Sequence, residues 1–221
     1  TIGFLYLVGE EVDHRGARDV ATSLSQTFKA IIVGEPTENK LAVATKGIVK
    51  VVLRARGKAA HSAYPKLGRS AIHPLVETLH RIQQMKLNTD ARLGAATLNV
   101  GSIQGGVAAN VFADHAEAHL LVRTVSSSQN VYRAIRRLCG RGVTPILESI
   151  NDPICLNTVK GFKTSVVSFN TDLPYLKKCA NQLYLLGPGS ILDAHRPDEK
   201  IAKKEIIRAV ALYEKLVRAV L

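Results

Sequence analysis

The chain is poor in acidic residues, in aromatics and in cysteine, and it has no long apolar run. Each shortage removes a class of function. Nothing approaches the roughly 18 consecutive apolar residues of a membrane-spanning helix, so no membrane partner is expected. Cys139, Cys155 and Cys179 are odd in number and scattered, which makes neither a disulfide framework nor a cysteine zinc cluster. They favour a reducing compartment, cytoplasmic or mitochondrial, although the sequence itself names none. Acidic residues number 18 against 30 Lys and Arg, giving a net charge of +12 that invites a nucleic-acid reading. Against it, aromatics are only 5%, the basic residues are dispersed, and no RNA-binding or zinc-finger signature is present. The densest cluster, Arg133, Arg136, Arg137 and Arg141, has the spacing of a solvated helix face, so nucleic acid is not the expected partner. There is no internal repeat and no low-complexity tract. No basic n-region precedes the first apolar run, and a chain that opens at Thr1 in mid-pattern is read as lacking its true N-terminus.

What is present is ordinary for a globular protein of one or two domains: 221 residues, 46% hydrophobic and 22% charged. The apolar run Ile2–Val8 predicts a buried strand, and it ends in Gly9-Glu10-Glu11. Buried carboxylates are costly unless paired, protonated or bound to a metal. Adjacent residues leaving a strand point apart, so one could hold a cation while the other reaches a water beside it. A solvated acidic loop is the plainer reading, and these residues alone leave both open. A helix at about Arg15–Gln26 follows, then a strand at Ala30–Val33 that runs into Gly34-Glu35-Pro36-Thr37. This is α/β patterning with parallel strands.

From about Thr45 the pattern changes. Lys46–Arg56 alternates as a half-exposed antiparallel strand should. A helix at Ser70–Gln84 carries Ile72, Leu75, Val76, Leu79 and Ile82 as its apolar stripe. Strands at Ala95–Ile103 and Ala116–Val125, a helix at Gln129–Cys139 and a strand at Val143–Ile150 complete a β-α-β-β-α-β order, the ferredoxin-like split βαβ layout. Strands near Thr164–Ser168 and Gln182–Leu186 then return to α/β character. The terminal helix, Ala202–Val220, sets Ile206, Val210, Tyr213, Leu216, Val217 and Val220 on one side. The expected fold is therefore α/β. A mostly parallel, three-layer domain from 1–45 and 151–221 is interrupted by a two-layer insert at 46–150.

Four segments form a set: Gly9-Glu10-Glu11; Val33-Gly34-Glu35-Pro36-Thr37; Gly57-Lys58-Ala59-Ala60-His61-Ser62-Ala63-Tyr64-Pro65; and Gly187-Pro188-Gly189-Ser190-Ile191-Leu192-Asp193-Ala194-His195. Together, and in this order, they resemble the aminoacylase, acetylornithine deacetylase and succinyl-diaminopimelate desuccinylase family of di-zinc hydrolases, which also contains carboxypeptidases. The wording of Arg56–Ala71 is closest to its fungal deacetylase/carboxypeptidase-like branch. The resemblance covers essentially the whole chain. It implies a catalytic domain with an inserted lid and dimerisation domain, a homodimer, and hydrolysis of N-acyl amino acids or small peptides by two zinc ions, with cobalt or manganese as acceptable metals.

By the same resemblance Glu10 is the general base, Glu11 and His195 are ligands of the second metal, and Glu35 is a ligand of the first. His61 is implied to reach across a dimer to the oxyanion. Asn110 and Arg123 are implied to hold substrate, Arg123 through a carboxylate that suits its bidentate fork. Without the resemblance each has a plainer reading: Glu35 a turn carboxylate before proline, His61 and His195 loop histidines, Arg123 an outward-facing charge. His14, His73, His80, His115 and His119 are given no role.

The family's His-x-Asp and its bridging aspartate precede the Glu-Glu pair and are not in this sequence. The first metal is left with Glu35 and the second with Glu11 and His195, where catalytic zinc takes three protein ligands. The chain alone is therefore expected to be inactive and to bind metal weakly. It is read as a piece of a working hydrolase, because a non-catalytic relative has no chemical need of these side chains. The alternative is a truncated binding or scaffold subunit, for which the +12 charge, as inside a nucleoprotein assembly, is the one supporting feature. A reading frame upstream of Thr1 with an in-frame His-x-Asp separates the two.

Overall fold

The alternation of apolar and charged residues after Lys46 becomes a ten-residue strand, the spine of the larger sheet. The computed structural model describes residues 1–221. In chain order the elements are α1 (Arg15–Ser23), β1 (Phe28–Val33), β2 (Leu41–Thr45), β3 (Gly47–Arg56) and α2 (Ile72–Gln83). There follow β4 (Thr89–Asp90), β5 (Gly94–Ala95), β6 (Thr97–Gly105), β7 (His115–Thr124), α3 (Ser128–Leu138) and β8 (Val143–Asn151). The last are β9 (Ile154–Cys155), β10 (Thr164–Val167), α4 (Leu173–Leu176), β11 (Ala180–Leu185) and α5 (Lys203–Val220). They divide into two compact units, Thr1–Thr45 with Ile154–Leu221, and Lys46–Pro153. No helix is long and apolar enough to cross a membrane.

In the Lys46–Pro153 unit, strands β6, β7, β3 and β8 form an antiparallel sheet in that order. Val49, Val51, Leu53 and Ala55 of β3 face the core while Lys50, Arg54 and Arg56 face water. A slip of one residue would expose the whole apolar set, so this pattern fixes the register. Leu75, Leu79 and Ile82 of α2 and Ile135 of α3 cover the inner face. Each such side chain contributes roughly 1.5–3 kcal/mol on burial. The β-α-β-β-α-β order is present, with β4 and β5 added as a small hairpin. Val76 departs from the expected stripe: it is 52% exposed, on the flank of α2 rather than on its buried face.

A buried polar knot joins the end of β7 to the start of α3 and the end of β8. Ser128 Oγ lies 2.6 Å from Thr124 Oγ1 and donates to the Asn151 carbonyl at 2.6 Å. The Asp152 carboxylate accepts from the Ser128 N–H at 2.7 Å, satisfying an orphan donor of the first turn of α3.

In the other unit β1 and β11 pair in parallel, from Phe28↔Ala180 to Val33↔Leu185. β2 lies between β10, parallel to it, and β9, antiparallel. The parallel pairing follows the expectation, but the ladder is in two short pieces rather than one sheet. Ala42, Leu173, Leu183 and Leu185 share one core. Leu216 and Val220 of α5 pack on Leu41, Tyr184 and Leu186. Ala17 of α1 meets Leu176 and Cys179.

Two further expectations are corrected. Ile2–Val8 is not a buried strand: it has no strand pairing, and Phe4 and Tyr6 are 85% and 90% exposed. A strand needs a neighbour for its N–H and C=O groups, and within this chain none lies beside that run. The apolar side of α5 is also shorter than its spacing implied, because Ile206 and Val210 are exposed and burial begins only at the helix middle.

Candidate active site

In the unit built from both ends of the chain, charged side chains collect where strands end, the place where parallel α/β sheets present ligand groups. Glu35 follows β1, Asp172 follows β10, and the loop after β11 leads to His195. The turn from Gly9 to His14 adds Glu10 and Glu11. Gly9 takes φ +80°, and its carbonyl accepts the N–H groups of Val12, Asp13 and His14 at 3.2, 3.0 and 2.7 Å.

The Glu35 loop is seated on the loop after β11. Gly187 O accepts from Thr37 N and Asn39 N at 3.2 and 2.9 Å, and Gly187 N donates to Thr37 Oγ1 at 3.0 Å. A Cβ at Gly187 would overlap the Glu35 backbone, so only glycine lets the two loops lie this close.

His195 Nε2 lies 3.6 Å from Glu11 Oε2. His14 Nδ1 donates to Asp172 Oδ1 at 2.9 Å and lies 3.9 Å from Glu10 Oε1. His14 Nε2 accepts from Asn170 Nδ2 at 3.2 Å, which leaves Asn170 Oδ1 buried without a partner. A buried acceptor left unpaired costs about 1–3 kcal/mol. Both histidines have left-handed backbone, φ 56° at His14 and 60° at His195. For a non-glycine residue that conformation costs on the order of 1–2 kcal/mol.

The electrostatics mark the same place. Burial pushes the Glu35 carboxyl up to about 7, with Glu10, Asp172 and Glu11 adding repulsion and His14 opposing it. Glu10 is also raised, first by burial and then by Glu11 and Asp172, against His14 and His195. Burial and the neighbouring Glu35 raise the Tyr213 phenol, whose hydroxyl donates to the Leu186 carbonyl. Carboxylates crowded together repel one another, and a cation placed among them would relieve that repulsion.

The donor types suit zinc, which takes carboxylate and imidazole ligands. Glu11 and His195 stand as a pair, and Glu35 acts in the same cluster. No three His, Cys, Asp or Glu side chains converge as a metal-holding set. The chain thus offers zinc the right chemistry in an incomplete set.

The remaining candidates lie in the Lys46–Pro153 unit. The loop from Gly57 continues beyond β3 and meets the segment before β7: His61 bridges Val111, and Ser62 N donates to the Asn110 carbonyl at 2.8 Å. His61 and Asn110 are thereby neighbours, both exposed, with the Tyr64 ring 6.0 Å from the His61 ring. Arg123 sits at the opposite end of β7, paired with Ile48 and Thr97. Its Nη1 is buried and has no hydrogen-bond partner, and burial lowers its pKa.

His14, Asn170, Asp172 and Tyr213 were not foreseen as site residues. Asp172 lies five residues beyond the end of β10, immediately before α4, so no apolar run points to it as directly as β1 points to Glu35. Tyr213 was read only as part of an apolar stripe, yet its hydroxyl reaches the Glu35 loop.

Residues 43–138 match the peptidase dimerisation domain family. A peptidase M20 domain-containing protein of Schizosaccharomyces pombe is 35% identical over 98% of this chain and 54% of its own length. A probable carboxypeptidase of Aspergillus flavus is 36% identical over 99% of this chain and 59% of its own. Among solved structures, the aminopeptidase PepT of Bacillus cereus superposes with TM-score 0.69 at 18% identity, over 97% of this chain and 63% of that one. AtUAH in complex with (S)-hydroxyglycine gives TM-score 0.70 at 11% identity, over 91% and 56%. The two structures speak for the fold. The chain spans about half the length of the curated relatives it matches. From the matched domain and from relatives that align along nearly all of it, the chain belongs to the M20 peptidase family, the hydrolase family its four motifs resemble.

Proposed function

We propose that this chain supplies part of a zinc-dependent amide hydrolase for N-acyl amino acids or small peptides with a free carboxylate, of the acetylornithine deacetylase or carboxypeptidase kind. The observation that carries the reading is the raised Glu10 carboxyl beside the Glu11–His195 pair. A carboxyl whose pKa is raised by burial is a stronger base than a solvated one, and can take a proton from an attacking water and give it to a leaving amine. Glu11, Glu35 and His195 would hold zinc, two ions per site once the donor set is complete, with cobalt or manganese as substitutes. The chemistry zinc supplies when bound is polarisation of the amide carbonyl and acidification of a water. Arg123 holds the substrate carboxylate with its unpartnered guanidinium nitrogen, Asn110 binds the substrate amide, and His61 donates to the oxyanion.

In this reading residues 1–45 and 151–221 belong to the catalytic domain, and 46–150 are the inserted lid through which two copies pair. Arg123 and the His61–Asn110 loop support a homodimer. At about 3.3 Å per residue the length of β7 separates them by roughly 25 Å, too far for one small substrate to touch both in one protomer. The two loci therefore serve different sites of a pair. The free edge of β6, with Val76 and Ile103 exposed beside it, is the surface that fits a second copy.

The test is hydrolysis by the full-length gene product carrying this chain, loaded with zinc or cobalt, on N-acetyl amino acids and dipeptides. Cleavage that Glu10→Gln abolishes, and that weakens when the substrate carboxylate is blocked, supports the reading; no cleavage of any such substrate defeats it. A scaffold role rests on the +12 charge and the exposed Arg133, Arg136 and Arg137 row. It predicts RNA binding by the 221-residue chain with a steep salt slope.

A further inference from the structure

Each glutamate of the Glu10–Glu11 pair faces one histidine, Glu11 facing His195 and Glu10 facing His14. Only His195 has a role in the reading above. His14 is nevertheless held on every side. Asp172, only 6% exposed, accepts from its Nδ1; Asn170 donates to its Nε2; and its ring lies 4.8 Å from that of Tyr175. Arg18 secures Tyr175 in turn, with its guanidinium 4.9 Å from the ring centroid and a hydrogen bond to the hydroxyl.

Two local penalties meet at this imidazole: the left-handed backbone of His14 and the unpaired carbonyl oxygen of Asn170. Neither improves packing. Strain that surrounding structure enforces is characteristic of sites that need a group held in one place. What His14 holds is the turn. Three N–H groups close on the Gly9 carbonyl, Gly16 N donates to Val8 O at 3.0 Å, and Glu10 and Glu11 project from between these closures. The His14 side chain ties that turn to the segment after β10. At 3.9 Å from Glu10 Oε1 it is beyond a direct hydrogen bond, so its hold on Glu10 runs through the backbone.

We propose that His14, clamped by Asp172 and Asn170, is a positioning residue that fixes the Glu10–Glu11 turn so that Glu10 is aimed at the attacking water. The proposal rests on the general-base reading of Glu10 and deepens it. A base held in place before the substrate arrives needs no ordering during the reaction.

Two measurements test it. In the 221-residue chain, His14→Ala and Asp172→Asn should each speed amide hydrogen exchange at Val12, Asp13 and His14 by about tenfold or more, leaving β3 and α5 unchanged. His14→Asn, whose side-chain amide can donate to Asp172 where Nδ1 does, should restore part of that protection. In the full-length hydrolase the same substitutions should lower kcat by about 10–100-fold with KM within about threefold, again partly rescued by His14→Asn. The double variant should be no worse than the poorer single one, since the residues act as one clamp. Unchanged exchange overturns the proposal, as does a loosened turn with kcat intact. If the wild-type enzyme hydrolyses nothing, the general-base reading fails, and the exchange result alone decides whether His14 clamps the turn.

Discussion

His195 Nε2 lies 3.6 Å from Glu11 Oε2, although the two residues stand near opposite ends of the chain. Neither is buried, and exposed pairs contribute little to stability, about 0–1 kcal/mol. The juxtaposition is therefore more informative as chemistry than as a strut. With two donors together and no third converging, the chain should bind zinc weakly. His195→Ala or Glu11→Gln should each reduce that binding by about tenfold or more. Calorimetric titration with Zn2+ checks this, and tight binding indifferent to both substitutions would contradict it.

Glu35 should make the chain's stability fall as pH rises. Its carboxyl moves from the usual 4.5 to about 7 on folding, so the folded state holds the proton more tightly. Stability from this group is then complete below the unfolded value, declines between roughly pH 4.5 and 7, and is level above. At about 1.4 kcal/mol per unit the decline is at most about 3 kcal/mol, and less for a carboxyl still partly in contact with water. Urea unfolding across this range should show a steeper decline in the wild type than in Glu35→Gln, where only Glu10 still contributes, and the variant should be the more stable protein at alkaline pH. Equal slopes in both proteins would place the charge strain elsewhere.

Much of this was legible in the sequence for definite reasons. The insert is built from local patterns, period-two strands and period-3.6 helices, and its element order followed from them. Glu10, Glu11, Glu35 and His195 stood out through the four motifs that together resemble the hydrolase family; local patterning alone left each with a plainer reading. Ile2–Val8 failed because an apolar run predicts burial only where a partner exists to cover it, and partners are not written in local periodicity. Val76 failed for a related reason: α2 buries a narrower stripe than its spacing allows. His14 carries no local signal, because its partners Asp172 and Asn170 lie far along the chain. Asp172 stands five residues past β10 and just before α4, outside the four motifs that carry the resemblance.

The free edge of β6 should be where two copies meet. Val76 is 52% and Ile103 57% exposed, beside a strand whose outer N–H and C=O groups have no partner strand. Such an edge pairs readily with another chain unless charge blocks it. Ile103→Lys and Val76→Glu, both on the surface, should shift a dimer to monomer in light scattering while changing stability by less than about 0.5 kcal/mol. A dimer that survives both substitutions places the interface on another surface.

Gly187 should be irreplaceable even though its φ is ordinary. The difficulty is space: any Cβ there meets the Glu35 backbone, and Thr37 and Asn39 already bind both sides of the Gly187 peptide. Gly187→Ala must push the two loops apart, at about 1–3 kcal/mol for overpacking a tight contact. The displaced Glu35 would gain water, so its carboxyl should titrate closer to 4.5 and the pH dependence above should flatten. Gly3→Ala, where nothing lies within 4 Å of the added carbon, is the matched control and should change neither. The two effects stand or fall together, because both follow from a single contact. A destabilised Gly187→Ala that keeps its full pH slope would show that Glu35 is strained by its burial alone and not by where the Gly187 loop seats it.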